Sequence, residues 1–192
     1  MKKNLTIWGI FLLTLLLLGG CASQSNSSSY GELQTATKVS NKSLLASTKV
    51  SLEEVIDIFQ RAYPQASITS IELGKHFRNT VYKIEGVDDT NEYDLTINAV
   101  DKKVIKQKHE RLDQDDQNDL AGQDKVDLKG LLSLSEVSKI AEKELSGGKV
   151  SEFNLDQDLG VTYWEVTIKR GMAKKEVKIN AQSGKIMEIE ND

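Results

Sequence analysis

Residues 51–110 lie on residues 133–192 at a fixed offset of 82 without a gap, and 11 of the 60 positions are identical. The phrase INAVDKKV at 97–104 returns as INAQSGKI at 179–186. A chain that repeats itself at one period is built from one supersecondary unit used twice, which excludes most single-domain architectures of this length.

Each copy opens on a helix-start signature, SLEE at Ser51 and SLSE at Ser133. In both, a serine can cap the helix while a glutamate three residues on, Glu54 or Glu136, closes a capping box. Val55, Ile58, Phe59 and Ala62 follow at helical spacing, matched by Val137, Ile140 and Ala141. Pro64 stops the first helix, and Gly147 and Gly148 stop the second.

After each helix the apolar period falls from 3.6 to 2. Ile71 and Leu73, Tyr82 and Ile84, then Tyr93, Leu95 and Ile97 alternate with polar neighbours; the second copy has Phe153 and Leu155, Trp164, Val166 and Ile168, then Val177 and Ile179. The repeated phrase is a strand end, a tight turn and a last strand. Gly184 suits the second turn because it takes positive φ, whereas Asp101-Lys102 implies a different or strained turn in the first copy.

The expected fold class is therefore α+β: two tandem small domains, each one helix packed on a three- to four-stranded antiparallel sheet. Repeat 1 spans 51–108 and repeat 2 spans 133–192. A unit of about 58 residues is near the lower limit for a self-sufficient core, and both sheets carry more apolar residues than one helix can cover, so contact between the two is favoured over independent beads. At strand spacing Tyr82 and Trp164 read as core, while Tyr163 points to the opposite face and is the candidate partner-contact residue.

The N-terminus places Lys2 and Lys3 before an apolar run from Leu5 to Leu18, followed by Gly19, Gly20 and Cys21. That is the layout of a secretory signal, and Leu18-Gly19-Gly20-Cys21 resembles the bacterial lipobox. Cys21 is the only cysteine, so no disulfide can form within the chain. Residues 1–20 are read as a lipoprotein signal peptide and Cys21 as the site that receives a diacylglycerol. Its two acyl chains would hold the protein on the membrane lipid, facing the outside of a Gram-positive bacterium. Residues 21–50, rich in Ser, Thr, Asn and Gln, are expected to be a flexible tether. Without Lys2 and Lys3 the net charge is near −6, which gives nucleic acid and anionic headgroups little to attract.

Catalytic constellations are absent from the sequence. His76 and His109 are 33 positions apart with no HExxH or CxxC nearby, and no G-x-S-x-G or phosphate-cradling glycine loop occurs. The acidic linker at 109–132 offers Asp113, Asp115, Gln117 and Asp119 at calcium-loop spacing. Its sixth position is Asn118 rather than Gly, and its twelfth is Asp124 rather than Glu. It reads as a solvated linker. No metal, cofactor or catalytic residue is assigned.

The S-L-x-E-V helix, the aromatic-x-aliphatic strands YKI and WEV, and the closing N-A-x-S-G-K-I resemble the PepSY domain. Asn180, Ala181, Ser183, Gly184, Lys185 and Ile186 match its closing turn; the first copy keeps Asn98, Ala99, Lys103 and Val104 but has Asp101-Lys102 for Ser-Gly. That family is a small α+β module of peptidase propeptides and exported lipoproteins. The resemblance implies a non-enzymatic envelope lipoprotein that binds, and inhibits or chaperones, a secreted or envelope peptidase. The alternative is a ligand-sensing or structural envelope lipoprotein with no peptidase partner.

Overall fold

A computed structural model describes residues 43–112 and 125–191. Both helices start where the capping boxes place them. Helix α1 (Leu52–Ala62) begins after Ser51, whose Oγ accepts from the Glu54 amide while Glu54 accepts from the Ser51 amide. Helix α2 (Leu134–Ala141) repeats the arrangement with Ser133 and Glu136. Pro64 follows the end of α1, but α2 stops at Ala141, ahead of the Gly147-Gly148 pair. The apolar stripe of each helix turns inward. Val55, Phe59, Val137 and Ala141 are buried and Ile58 and Ile140 half-buried.

Four antiparallel strands follow each helix: β1 (Ser67–His76), β2 (Asn79–Val87), β3 (Asn91–Asn98) and β4 (Val104–Arg111), then β5 (Lys149–Asp158), β6 (Val161–Arg170), β7 (Ala173–Asn180) and β8 (Ile186–Asn191). The two sets do not stand as separate small domains. They form one sheet in the order β4-β3-β2-β1-β5-β6-β7-β8.

The seam is β1 against β5, with Ile71 opposite Leu155, Glu72 opposite Asn154 and Leu73 opposite Phe153. At the 82-residue offset Glu72 faces its own counterpart, and Ile71 faces the counterpart of Leu73. The halves therefore meet across a pseudo-twofold axis, as two identical subunits meet in an isologous interface. The two repeats share a sheet because an isolated β1 would be a bare edge with unpaired backbone groups; pairing it with β5 removes both edges and joins the cores.

One face of this sheet is apolar. Ile71, Leu73, Tyr82, Ile84, Leu95 and Ile97 share it with Phe153, Leu155, Trp164, Val166, Val177 and Ile179, all at most 1% exposed. They belong to one core cluster that also takes in both helices. Burying that much apolar surface in one layer, rather than two halves, is the main stabilisation available to a chain without disulfides.

The tether was expected to reach residue 50. Residues 43–50 are instead packed: Leu44 and Val50 are each 2% exposed, and Leu45–Ser47 form a 3-10 turn. The apolar pair Leu44-Leu45 within a polar stretch supplies that anchor. The signal segment, Cys21 and the calcium-like spacing from Asp113 to Asp124 lie outside the described residues.

The phrase INA joins the strand end to the helix start. In repeat 1 the Ala99 amide donates to Thr80 O, and Ala99 O accepts from the Lys49 and Val50 amides just before α1. In repeat 2 the Ala181 amide donates to Thr162 O, and Ala181 O accepts from the Leu132 amide just before α2. Both alanines are fully buried. The turns that follow are the same turn, since Lys102 and Gly184 donate to Asn98 O and Asn180 O. Lys102 (φ 64°) and Gly184 (φ 72°) both lie in the left-handed region. The expectation of a different turn type in the first copy is thus corrected, while its strain is present at Lys102.

Candidate functional site

The sheet face away from the helices is charged, and no described element covers it. A cross-strand row runs through Lys106, Thr96, Lys83, Glu72, Asn154, Glu165, Lys178 and Glu188, with the pseudo-twofold axis at its centre. Residues of one face alternate with those of the other, so each apolar contact beneath the helices implies a polar neighbour here. Lys178 pairs with Glu188 at 3.0 Å and approaches Glu165 at 3.9 Å, Lys174 pairs with Glu176 at 2.8 Å, and Lys83 pairs with Glu85. Burial among neighbours, then the charge of Glu72, raises the Glu152 carboxyl above its ordinary range. Burial and then Glu176 do the same to Glu165. Lys178 is raised chiefly by its hydrogen bond to Glu188.

Tyr163 lies on this face, half-buried, opposite Asp156 and Asn180. The Lys178 ammonium sits 5.9 Å from its ring centroid, within cation–π range. Burial first, then Asp156, raises its hydroxyl. Such a surface can dock a polar partner by charge complementarity; it has no nucleophile paired with a base.

On the helix side a groove of about 450 Å³ opens beside the α1 start. It is lined by Leu45, Val50, Leu52, Ile56, Leu131 and Leu134, with Tyr82 among its walls. Tyr82 and Trp164 are core, as their strand spacing indicated, at 0% and 1% exposed. The Tyr82 hydroxyl donates to Val50 O at 3.0 Å, and burial, then Glu53 and Glu54, raises it. Trp164 is its counterpart, and its buried Nε1 has no hydrogen-bond partner among the described residues.

His76 sits at the β1–β2 tip against Phe77, and His109 on β4 beside Tyr93; both are exposed. No group of three metal-ligating side chains converges among the described residues. No helix among them is long and apolar enough to cross a membrane.

Against this geometry stand the comparisons with known proteins. A family model described as peptidase propeptide and YPEB domain, PepSY, matches residues 49–108 and again 131–190. The crystal structure of a candidate lipoprotein from Clostridium difficile 630 is 31% identical, with a TM-score of 0.72, covering 79% of this chain and all of the other. The Bacillus megaterium YpeB C-terminal domain is 18% identical over 75% of this chain and 66% of its own, with a TM-score of 0.31. None of the curated proteins matches the chain significantly.

Proposed function

Since the chain belongs to the PepSY family and carries the domain twice, we propose that it is a non-enzymatic envelope lipoprotein, anchored through Cys21, that binds and modulates a secreted or envelope peptidase. The observation that carries this reading is the charge-lined face of an eight-stranded sheet that no described helix covers, in a family described by peptidase propeptides. The 31%-identical candidate lipoprotein supports the anchored part of the reading, as does the lipobox-like Leu18–Cys21. The partner would meet Tyr163 on β6 and Lys178 on β7, in the second-repeat half of that face, where a half-buried aromatic beside a cation offers an interface anchor.

Crosslinking on intact cells tests it. Wild type should capture a peptidase, and Tyr163→Ala with Lys178→Glu should lose it while Cys21 acylation persists. Capture that is equal in both, or contains no peptidase, contradicts the reading. The apolar groove beside Leu52 and Ile56 favours the second reading, an envelope ligand sensor; Ile56→Trp, which narrows the groove, would then abolish response while leaving any peptidase capture intact.

A further inference from the structure

The hairpin tips segregate charge in a way the net charge hides. At one edge of the sheet lie the β1–β2 tip, Lys75-His76-Phe77-Arg78, and the β6–β7 tip, Lys169-Arg170-Gly171-Met172-Ala173-Lys174-Lys175. With the β3–β4 turn at the same edge they hold eight Lys and Arg against one carboxylate, Asp101. At the other edge the β2–β3, β5–β6 and β7–β8 tips hold Asp88, Asp89, Asp156 and Asp158 against one cation, Lys185. The antiparallel seam of β1 and β5 fixes which tips share an edge.

The basic edge also pushes apolar side chains outward. Phe77 is 92% exposed with φ 53°, and Met172 is 103% exposed. Leu159, the counterpart of Phe77 at the β5–β6 tip, shares its left-handed φ (49°) and its exposure, so the backbone belongs to the hairpin and what sets this edge apart is the charge around Phe77 and Met172. Furthermore Lys149 lies opposite Lys169, and Lys169 opposite Lys174, on three successive strands. Like charges directly opposite one another destabilise a sheet. Glu142 and Glu176 relieve two of these lysines through pairs of 3.2 and 2.8 Å, and Lys169 and Lys174 also draw on the Glu152 carboxylate, so the row is only partly compensated by carboxylates.

We propose that this edge rests on an anionic lipid surface, with Phe77 and Met172 entering the headgroup region and the flanking lysines and arginines facing lipid phosphates. Apolar burial plus attraction of cations to anionic lipid is the physics of interfacial binding. The Ser47 hydroxyl meets Thr80, next to the β1–β2 tip, and the Lys49 amide donates to Ala99 O at the β3–β4 turn on this edge. An N-terminal anchor at Cys21 leaves a reach of up to roughly 70 Å before Ser43, which permits the basic edge to lie on the bilayer. The acidic edge, where the chain leaves the sheet at Leu112 and returns at Val126 beside Thr90 and Ile68, would face away.

The proposal does not require acylation, so it is tested on residues 22–192, which retain the whole described sheet and its core. Cosedimentation is measured with phosphatidylcholine vesicles containing about 30 mol % phosphatidylglycerol, and with phosphatidylcholine alone. Binding should need the anionic lipid and weaken at least about tenfold between roughly 0.1 and 0.5 M salt. Phe77→Ser with Met172→Ser should reduce partitioning about tenfold or more. Lys169→Gln and Lys175→Gln should each reduce it by roughly fivefold. Leu159→Ser, the equally exposed tip residue of the acidic edge, should change nothing.

Absence of binding to anionic vesicles overturns the proposal, as does an equal loss on Leu159→Ser. Sensitivity to the lysines with none to Phe77→Ser and Met172→Ser would assign the edge to a soluble polyanion instead. Self-association through these tips in sedimentation velocity would assign it to a second copy. Circular dichroism of each variant separates lost binding from lost fold. Loss of peptidase capture leaves all of these outcomes unaffected.

Discussion

Lys102 and Gly184 occupy one position in two copies of one turn, and they differ in how they occupy it. Gly184 takes φ 72° freely, and a Cβ there would stand 3.0 Å from Ile140 Cδ1 and Leu132 Cδ1. Lys102 holds φ 64° with a side chain that reaches the Glu54 carboxylate at 2.6 Å. That hydrogen bond, then the Ser51 amide, lowers the Glu54 carboxyl below its ordinary range. The lysine therefore ties its turn to the α1 capping box at the expense of backbone strain. Gly184→Val should destabilise by at least about 1 kcal/mol, from strain and crowding together. Lys102→Gly should fall between neutral and about 1 kcal/mol stabilising, because the relieved strain exceeds the added chain entropy. Urea unfolding of both variants checks this; a Lys102→Gly loss above about 1 kcal/mol would make the Glu54 contact, not the strain, the larger effect. The Ser-Gly of the second turn was legible in the sequence. At Lys102 the alignment with Gly184 left a different turn and a strained one both open, and the left-handed φ settles it as the strained one.

At the scale of elements, the β2–β3 hairpin carries its own acid sensitivity. Asp88 caps its turn, accepting from the Thr90 and Asn91 amides at 2.8 Å each and from the Tyr93 hydroxyl at 2.6 Å. Burial by itself would raise this carboxyl, but those donors outweigh it and hold it at about 2. A depressed carboxylate contributes stability that is present above its unfolded value, near 3.9, and is lost as pH falls toward 2. Stability should therefore decline across that window, and Asp88→Asn should flatten the decline, as acid titration of the urea midpoint would show. An unchanged slope in the variant would remove Asp88 as its source. Helix starts, strand periodicity and the burial of Tyr82 and Trp164 were legible because each rests on local spacing. The charge segregation of the tips was not, because it depends on which hairpins share an edge. Net charge alone pointed away from anionic lipid for that reason.

For the whole molecule, the seam decides what the duplication means. Sequence spacing describes each copy but does not say what β1 pairs with, and a strand with apolar residues on one face suits either a free edge or a partner. The excess of apolar residues over what one helix covers pointed toward contact between the copies; continuity of the sheet through Glu72 and Asn154 is what the structure adds. If the two repeats are halves of one cooperative sheet, damage to one must be felt in the other. Residues 22–192 contain a single tryptophan, Trp164, buried in repeat 2, because the other is Trp8. Its fluorescence reports on the second half alone. Ile84→Ala removes a fully buried side chain in repeat 1 and should cost about 2–5 kcal/mol. The measurement is the urea unfolding of Trp164 fluorescence in Ile84→Ala beside the unsubstituted chain. One cooperative sheet predicts that the Trp164 midpoint drops by the whole of that loss; a midpoint left where it was would mean that the repeats unfold as two independent domains.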